Sequence, residues 1–173
     1  MEYPYNSFEL QLHVAMYTWY ELFEFESMYH SFVRNNRLVS LIDDKISHLE
    51  SDINEFSRRF HGGLNQKSAL LNSFADNLRG MYIFYDPIIA STIIQSSLGF
   101  IDTCLLEVRR EYQTMPQNAG GERWLQYFRA KNGVADGYVL FAFPQELFPD
   151  VSSYLQIIPD LGDFIVLCND VMS

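Results

Sequence analysis

Asn169 and Ser173 stand four residues apart in Asn169-Asp170-Val171-Met172-Ser173, so on a helix they share one face. Both present hard oxygen ligands of the type that Mg²⁺ takes. A second oxygen-rich point is Asp43-Asp44, in the run Leu41-Ile42-Asp43-Asp44-Lys45. Two adjacent carboxylates can hold Mg²⁺ ions that keep most of their water. Two such points in one helical chain suit a pair of helices clamping metal ions over a diphosphate. Each pattern also has a plainer reading. Adjacent acids occur on exposed helix faces and at N-caps, and polar residues close many helices. Asn and Ser on one face of a stretch that begins Phe164-Ile165-Val166-Leu167 are the more specific signal, because both are mediocre helix formers. Arg129 is the third candidate, embedded in Trp124-Leu125-Gln126-Tyr127-Phe128-Arg129-Ala130-Lys131-Asn132-Gly133. Pointing inward, its planar fork would bind phosphate oxygens. Pointing outward, its stem would cover apolar surface.

Other chemistries find little support. His13, His30, His48 and His61 form no cluster at metal-ligand spacing, and His13 reads as a partly buried helix residue. No Ser-His-Asp, Cys-His or Walker pattern is present. Gly62-Gly63 and Gly120-Gly121 read as turns rather than phosphate loops. The net charge is −10, with no Lys/Arg-rich run, which argues against nucleic acid as a partner. A chain this acidic needs cations between itself and an anionic substrate, as Mg²⁺ would supply. Cys104 and Cys168 both lie in apolar stretches and read as buried, reduced thiols, without zinc spacing. The first residues, Met1-Glu2-Tyr3-Pro4-Tyr5, lack the basic-then-apolar pattern of a secretory signal. No apolar run reaches the roughly 20 residues of a membrane span. A cytoplasmic protein is the expectation. Aromatics are abundant, with 14 Phe, 11 Tyr and 2 Trp, enough for a core and for the lining of a greasy or cation-stabilising pocket.

The elements that must position these residues are helices. The length of 173 residues predicts one domain over 1–173, and the class is all-α. Phe8, Leu12, Ala15, Met16 and Trp19 recur at three- and four-residue steps, with Asn6 or Ser7 as cap. Glu21 to Glu26 alternates like a strand, and Arg34-Asn35-Asn36-Arg37 looks like a loop. Helix is predicted from Leu38 to Phe60, ending at Gly62-Gly63, and from Lys67 to Arg79. The next helix starts at Asp86-Pro87, a cap followed by proline at the first helical position. It carries an apolar face broad enough for a buried helix and ends before Met115-Pro116. A further helix is predicted over Glu122 to Phe143. A last one runs from Asp150 to the end, with Pro159 inside it as a kink or break.

The stretch Tyr154-Leu155-Gln156-Ile157-Ile158-Pro159-Asp160, followed by Asn169-Asp170-Val171-Met172-Ser173, closely resembles the trichodiene synthase family of fungal class I sesquiterpene synthases. So does Tyr127-Phe128-Arg129-Ala130-Lys131-Asn132-Gly133. Weaker echoes are Phe56-Ser57-Arg58-Arg59-Phe60 and the run from Ser96 to Glu107. The likeness covers most of residues 1–20 and 41–173. It implies an all-α bundle around an apolar pocket, in which a prenyl diphosphate, usually farnesyl diphosphate, is ionised with Mg²⁺ and the carbocation cyclised. By position, Asp43 and Asp44 would be the aspartate-rich metal site, Asn169 and Ser173 ligands of the second, and Arg129 the diphosphate-sensing arginine. Tyr17, Trp19, Phe84 and Phe100 are the aromatic candidates for the cation.

Three departures carry expectations of their own. The aspartate pair is followed by Lys45-Ile46-Ser47, where the family often has a further acid. Residues 21–40 read as an insertion or as retained intron sequence. The family continues beyond a position like Ser173 into a Lys-Glu pair and more helices. The bundle is therefore expected to be incomplete, and weak or inactive as 173 residues. The alternative is a non-catalytic helical interaction protein of the same fold, burying its open face against a partner or, as a homodimer, a second copy.

Overall fold

The computed structural model describes residues 26–116, 121–132 and 135–172, with the backbone alone at 26–30, 32, 122 and 168–172. Every regular element among the described residues is helical. The helices are α1 (Glu26–Asp44), α2 (Ile46–Ile53), α3 (Phe56–His61), α4 (Ala69–Arg79), α5 (Pro87–Val108), α6 (Arg110–Gln113), α7 (Glu122–Asn132), α8 (Ala135–Leu140) and α9 (Ile158–Met172). Short 3₁₀ turns at Gly80–Ile83, Val151–Ser153 and Leu155–Ile157 join them. The all-α reading therefore holds. The early helix predicted around Phe8 to Trp19 lies outside the described residues, as does most of the strand-like run from Glu21.

The centre of the bundle is α5. Its residues are apolar on nearly every side, as a helix surrounded by others requires. Its first half contributes Ile89, Ala90 and Ile93 to one core, shared with Met81, Tyr85, Val139, Phe141, Tyr154 and Ile158. Its second half contributes Ile94, Leu98, Ile101 and Cys104 to another, shared with Ile42, Ile53, Phe56, Leu71, Phe74 and Leu78. Polar residues inside α5 are satisfied locally. The Ser97 hydroxyl donates to the Ile93 carbonyl at 2.9 Å. By length and composition α5 is also apolar enough to cross a membrane, with 56% of its most apolar stretch buried inside the bundle. That qualifies the expectation that no run in the chain would reach spanning length.

Several boundaries follow the expected chemistry. The Asp86 carboxylate accepts from the Ile88 N–H at 2.8 Å, with Pro87 at the first helical position of α5. The Ser68 hydroxyl accepts from the Leu71 N–H at 3.2 Å and caps α4.

Other boundaries differ from expectation. Arg34-Asn35-Asn36-Arg37 is helix, not loop, and lies within α1. Asn favours turns because its side chain competes for the local backbone. Here the Asn35 amide oxygen is engaged tertiarily, whereas both amide atoms of Asn36 are buried without a hydrogen-bond partner. Asn77 Nδ2 donates to Asn35 Oδ1 at 3.2 Å, and Ser31 Oγ donates to Asn77 Oδ1 at 3.3 Å. The helix expected over Leu38–Phe60 is three helices, turning at Lys45 (φ −110°, ψ 10°) and at Glu55 (φ −102°, ψ −4°). The helix from Asp86 ends at Val108, where Arg109 is extended. The helix expected over Glu122–Phe143 is two helices, α7 ending at Asn132 and α8 beginning at Ala135. Pro159 does not kink a long helix. It sits in the first turn of α9, where its missing N–H would have no intrahelical partner anyway.

Candidate functional site

Asp43 and Asp44 are the last two residues of α1, and that helix has no basic residue in its last turn. This removes the N-cap reading of the pair. At a helix C-terminus the peptide dipoles present negative charge, so carboxylates there are repelled and a cation is attracted. Both side chains are exposed. The Asp43 carboxyl is held above the ordinary aspartate range, first by partial burial and then by the neighbouring Asp44 charge.

Glu107 approaches from the last turn of α5, which also lacks a basic residue. Its carboxyl is likewise raised, first by burial and then by the charge of Asp43. Two opposing influences reach it from α7. Asn132 Nδ2 donates to Glu107 Oε1 at 2.9 Å, and the Arg129 guanidinium lies near enough to favour the ionised form. Asn132 and Arg129 both belong to the last turn of α7. The groups that act on Glu107 thus come from the C-terminal ends of α1 and α7, an acid from the first and an amide and an arginine from the second. Cys104, fully buried one turn before Glu107, is pushed far above the usual thiol range by burial and then by Asp43 and Glu107. It is a free thiol and stays neutral.

Among the described residues, no group of three or more His, Cys, Asp and Glu converges as a complete metal site. What converges is a partial donor set. Asp43 and Glu107 end two helices and lie near enough for the charge of Asp43 to act on Glu107, and a cation nearby would relieve that like-charge repulsion. Their oxygens are the hard donors that Mg²⁺ takes, so the residues present fit such an ion. Asn169 lies near the end of α9 by its backbone. Its side chain, and Ser173 altogether, lie outside the described residues, as do Tyr17 and Trp19.

Beside Glu107 a cleft of about 210 Å³ is lined chiefly by Leu106, Tyr112, Met115, Trp124 and Phe128. Trp124 packs on Phe128 and Tyr127 with ring centroids 5.7 and 5.9 Å apart. The expected aromatic candidates sit elsewhere. Phe100 is buried in the core of α1 to α5, and Phe84 packs against the other core. Glu107, Asn132 and the Trp124–Phe128 pair carried no role in the sequence reading. The one available signal for the first two was that they end apolar or aromatic helical runs.

The trichodiene synthase (TRI5) family model matches residues 6–173. The chain belongs to the trichodiene synthase family. It is 36% identical to the terpene synthase BipA of Cochliobolus sativus over 171 residues, which cover 99% of this chain and 47% of that protein. It is 31% identical to the longiborneol synthase CLM1 of Gibberella zeae over 173 residues, 98% of this chain and 46% of that one. To the (E)-beta farnesene synthase of Metarhizium brunneum it is 28% identical over 139 residues, 79% of this chain and 42% of that protein. The chain spans about half the length of the curated relatives it matches.

Proposed function

We propose that this chain forms the diphosphate-ionising part of a terpene synthase, acting on a prenyl diphosphate with Mg²⁺. The single observation that carries this reading is that Glu107, at the end of α5, lies within electrostatic reach of both Asp43 on α1 and Arg129 on α7, residues distant from it in sequence. Farnesyl diphosphate is the substrate we assign, on the strength of the family. Asp43 and Asp44 would hold metal from α1 and Glu107 from α5, with Asn169 and Ser173 as ligands of the second metal point. Bound Mg²⁺ would supply Lewis-acid stabilisation of the departing diphosphate oxygens. Arg129 places a fixed positive charge where negative charge develops on the leaving group. Trp124 and Phe128 offer π faces to a carbocation beside the acidic centre, at roughly 0.5–2 kcal/mol each. The site is expected to work in the cytoplasm.

Incubation of the 173-residue chain with farnesyl diphosphate, followed by pyrophosphate release and product analysis, tests the reading. We expect slow release that chelation abolishes and that Asp43→Asn and Arg129→Ala each reduce. Release that persists in chelator contradicts the metal assignment. Cyclic products at ordinary enzyme rates contradict the expectation of weak turnover by these residues alone.

A second reading is a non-catalytic helical interaction protein of the same fold. It is favoured by α9, where Leu161, Phe164 and Leu167 are 36, 63 and 64% exposed at three-residue steps along one side. A homodimer in size-exclusion chromatography, dissociated by Phe164→Glu and without diphosphate affinity, would support it over the first.

A further inference from the structure

We propose that Asn132 is the positioning residue of the acidic centre, its amide aiming the Glu107 carboxylate at Asp43 and fixing Arg129 relative to both. The inference rests on the reading of that centre as a metal and diphosphate site. A carboxylate only accepts hydrogen bonds. The Asn132 amide therefore presents Nδ2 to Glu107 Oε1, at 2.9 Å, and its Oδ1 faces the hydroxyl of Thr103, at 3.3 Å. Thr103 is buried, and its single hydrogen is shared with the Phe100 carbonyl at 2.8 Å and the Gly99 carbonyl at 3.1 Å. The Glu107 bond is therefore the stronger of the two ties, and Thr103 mainly sets which way the amide turns.

Without a tie, Glu107 would swing away from the like charge of Asp43, because an exposed glutamate has three rotatable bonds and water to turn toward. The amide holds it against that repulsion. Asn132 and Arg129 lie three residues apart on α7, so the bond that aims Glu107 also sets how far the guanidinium stands from the acids. Partners of ligating carboxylates act in this way, and their loss typically weakens metal binding by 10–100-fold.

The test is the affinity of the 173-residue chain for Mn²⁺, read from the electron paramagnetic resonance signal of the free ion. Melting in chelator is followed in parallel. Asn132→Leu keeps the size and removes both hydrogen bonds, and Asn132→Gln keeps the amide. We expect Asn132→Leu to weaken Mn²⁺ binding about tenfold with little change in metal-free melting, and Asn132→Gln to recover part of the loss. Thr103→Val, which leaves Glu107 untouched, is expected to weaken binding about twofold to threefold by the same logic. It keeps the proposal testable if Asn132→Leu fails to fold, and unchanged affinity in Thr103→Val would then overturn it. Asp43→Asn and Glu107→Gln separate the two levels of the claim. If these lose Mn²⁺ while Asn132→Leu binds like the parent, the positioning role falls and the metal site stands. If metal-free melting collapses equally in Asn132→Leu and Asn132→Gln, the role is structural and the proposal is overturned. If the parent binds no Mn²⁺, or Asp43→Asn and Glu107→Gln bind as it does, the metal reading falls and takes this inference with it.

Discussion

The two carboxylates of the centre are placed where folding disfavours their charge. Asp43 and Glu107 both hold their protons above the ordinary range, by burial and by like charge. An acid raised by folding lowers stability once it ionises, so the penalty is absent in acid and grows as pH rises past its ordinary value. Asp43→Asn should therefore raise the metal-free melting temperature slightly at about pH 7, the gain being small because water screens an exposed carboxylate. A melting temperature that falls would contradict the placement. Glu55 behaves in the opposite sense. Hydrogen bonds from Lys67 and then Arg58 hold it at about 2, against an ordinary 4.5. Its contribution is present above 4.5 and is lost as pH falls toward 2. In circular dichroism, Glu55→Gln should flatten that part of the acid-unfolding curve, and an unchanged curve would show that the ion pairs with Lys67 and Arg58 do not matter. Asp43, Asp44 and Arg129 could be proposed from the sequence because pairs and motifs mark them. Glu107 was not. A lone glutamate near the end of an apolar run has no visible partner until folding brings α1 and α7 beside it.

At the scale of the element, caps could be read and breaks could not. Asp86 before Pro87 announces a helix start, and the structure shows the Asp86–Ile88 bond at 2.8 Å. Asp86→Ala should cost about 1 kcal/mol, seen as a fall of about 2–4 °C in melting temperature. Within α5, Ile101 is fully buried. Ile101→Ala should lower unfolding free energy by about 2–5 kcal/mol, measured by the shift in denaturant midpoint at constant slope. A smaller loss would mean that the core relaxes into the space. The break at Lys45 carries no glycine or proline, so local chemistry does not announce it, yet it leaves Asp43 and Asp44 at a negative helix end. Asn35 and Asn36 misled in the other direction. For Asn35 the turn preference is overridden by its bond to Asn77 across the α1–α4 contact; Asn36 is buried without a partner for its amide, and local chemistry does not explain its helical place. Pro159 was misplaced only because the start of α9 was set too early.

For the whole molecule, α5 divides the interior. One half of it builds the core that carries Asp43 on α1, and the other half builds the core against α8 and α9. The all-helical class was legible from periodicity. The meeting of three helix ends was not, because it depends on long-range packing that periodicity does not encode. A net charge of −10 makes the chain a poor receptor for a free anion, so any affinity for diphosphate must come through cations and Arg129. Calorimetric titration with inorganic pyrophosphate reads that dependence. Binding is expected in the presence of Mg²⁺ and none in chelator, with the Mg²⁺-dependent binding lost in Asp43→Ala and weakened in Arg129→Ala. Pyrophosphate binding of equal strength with and without Mg²⁺, or no binding in either, would contradict it.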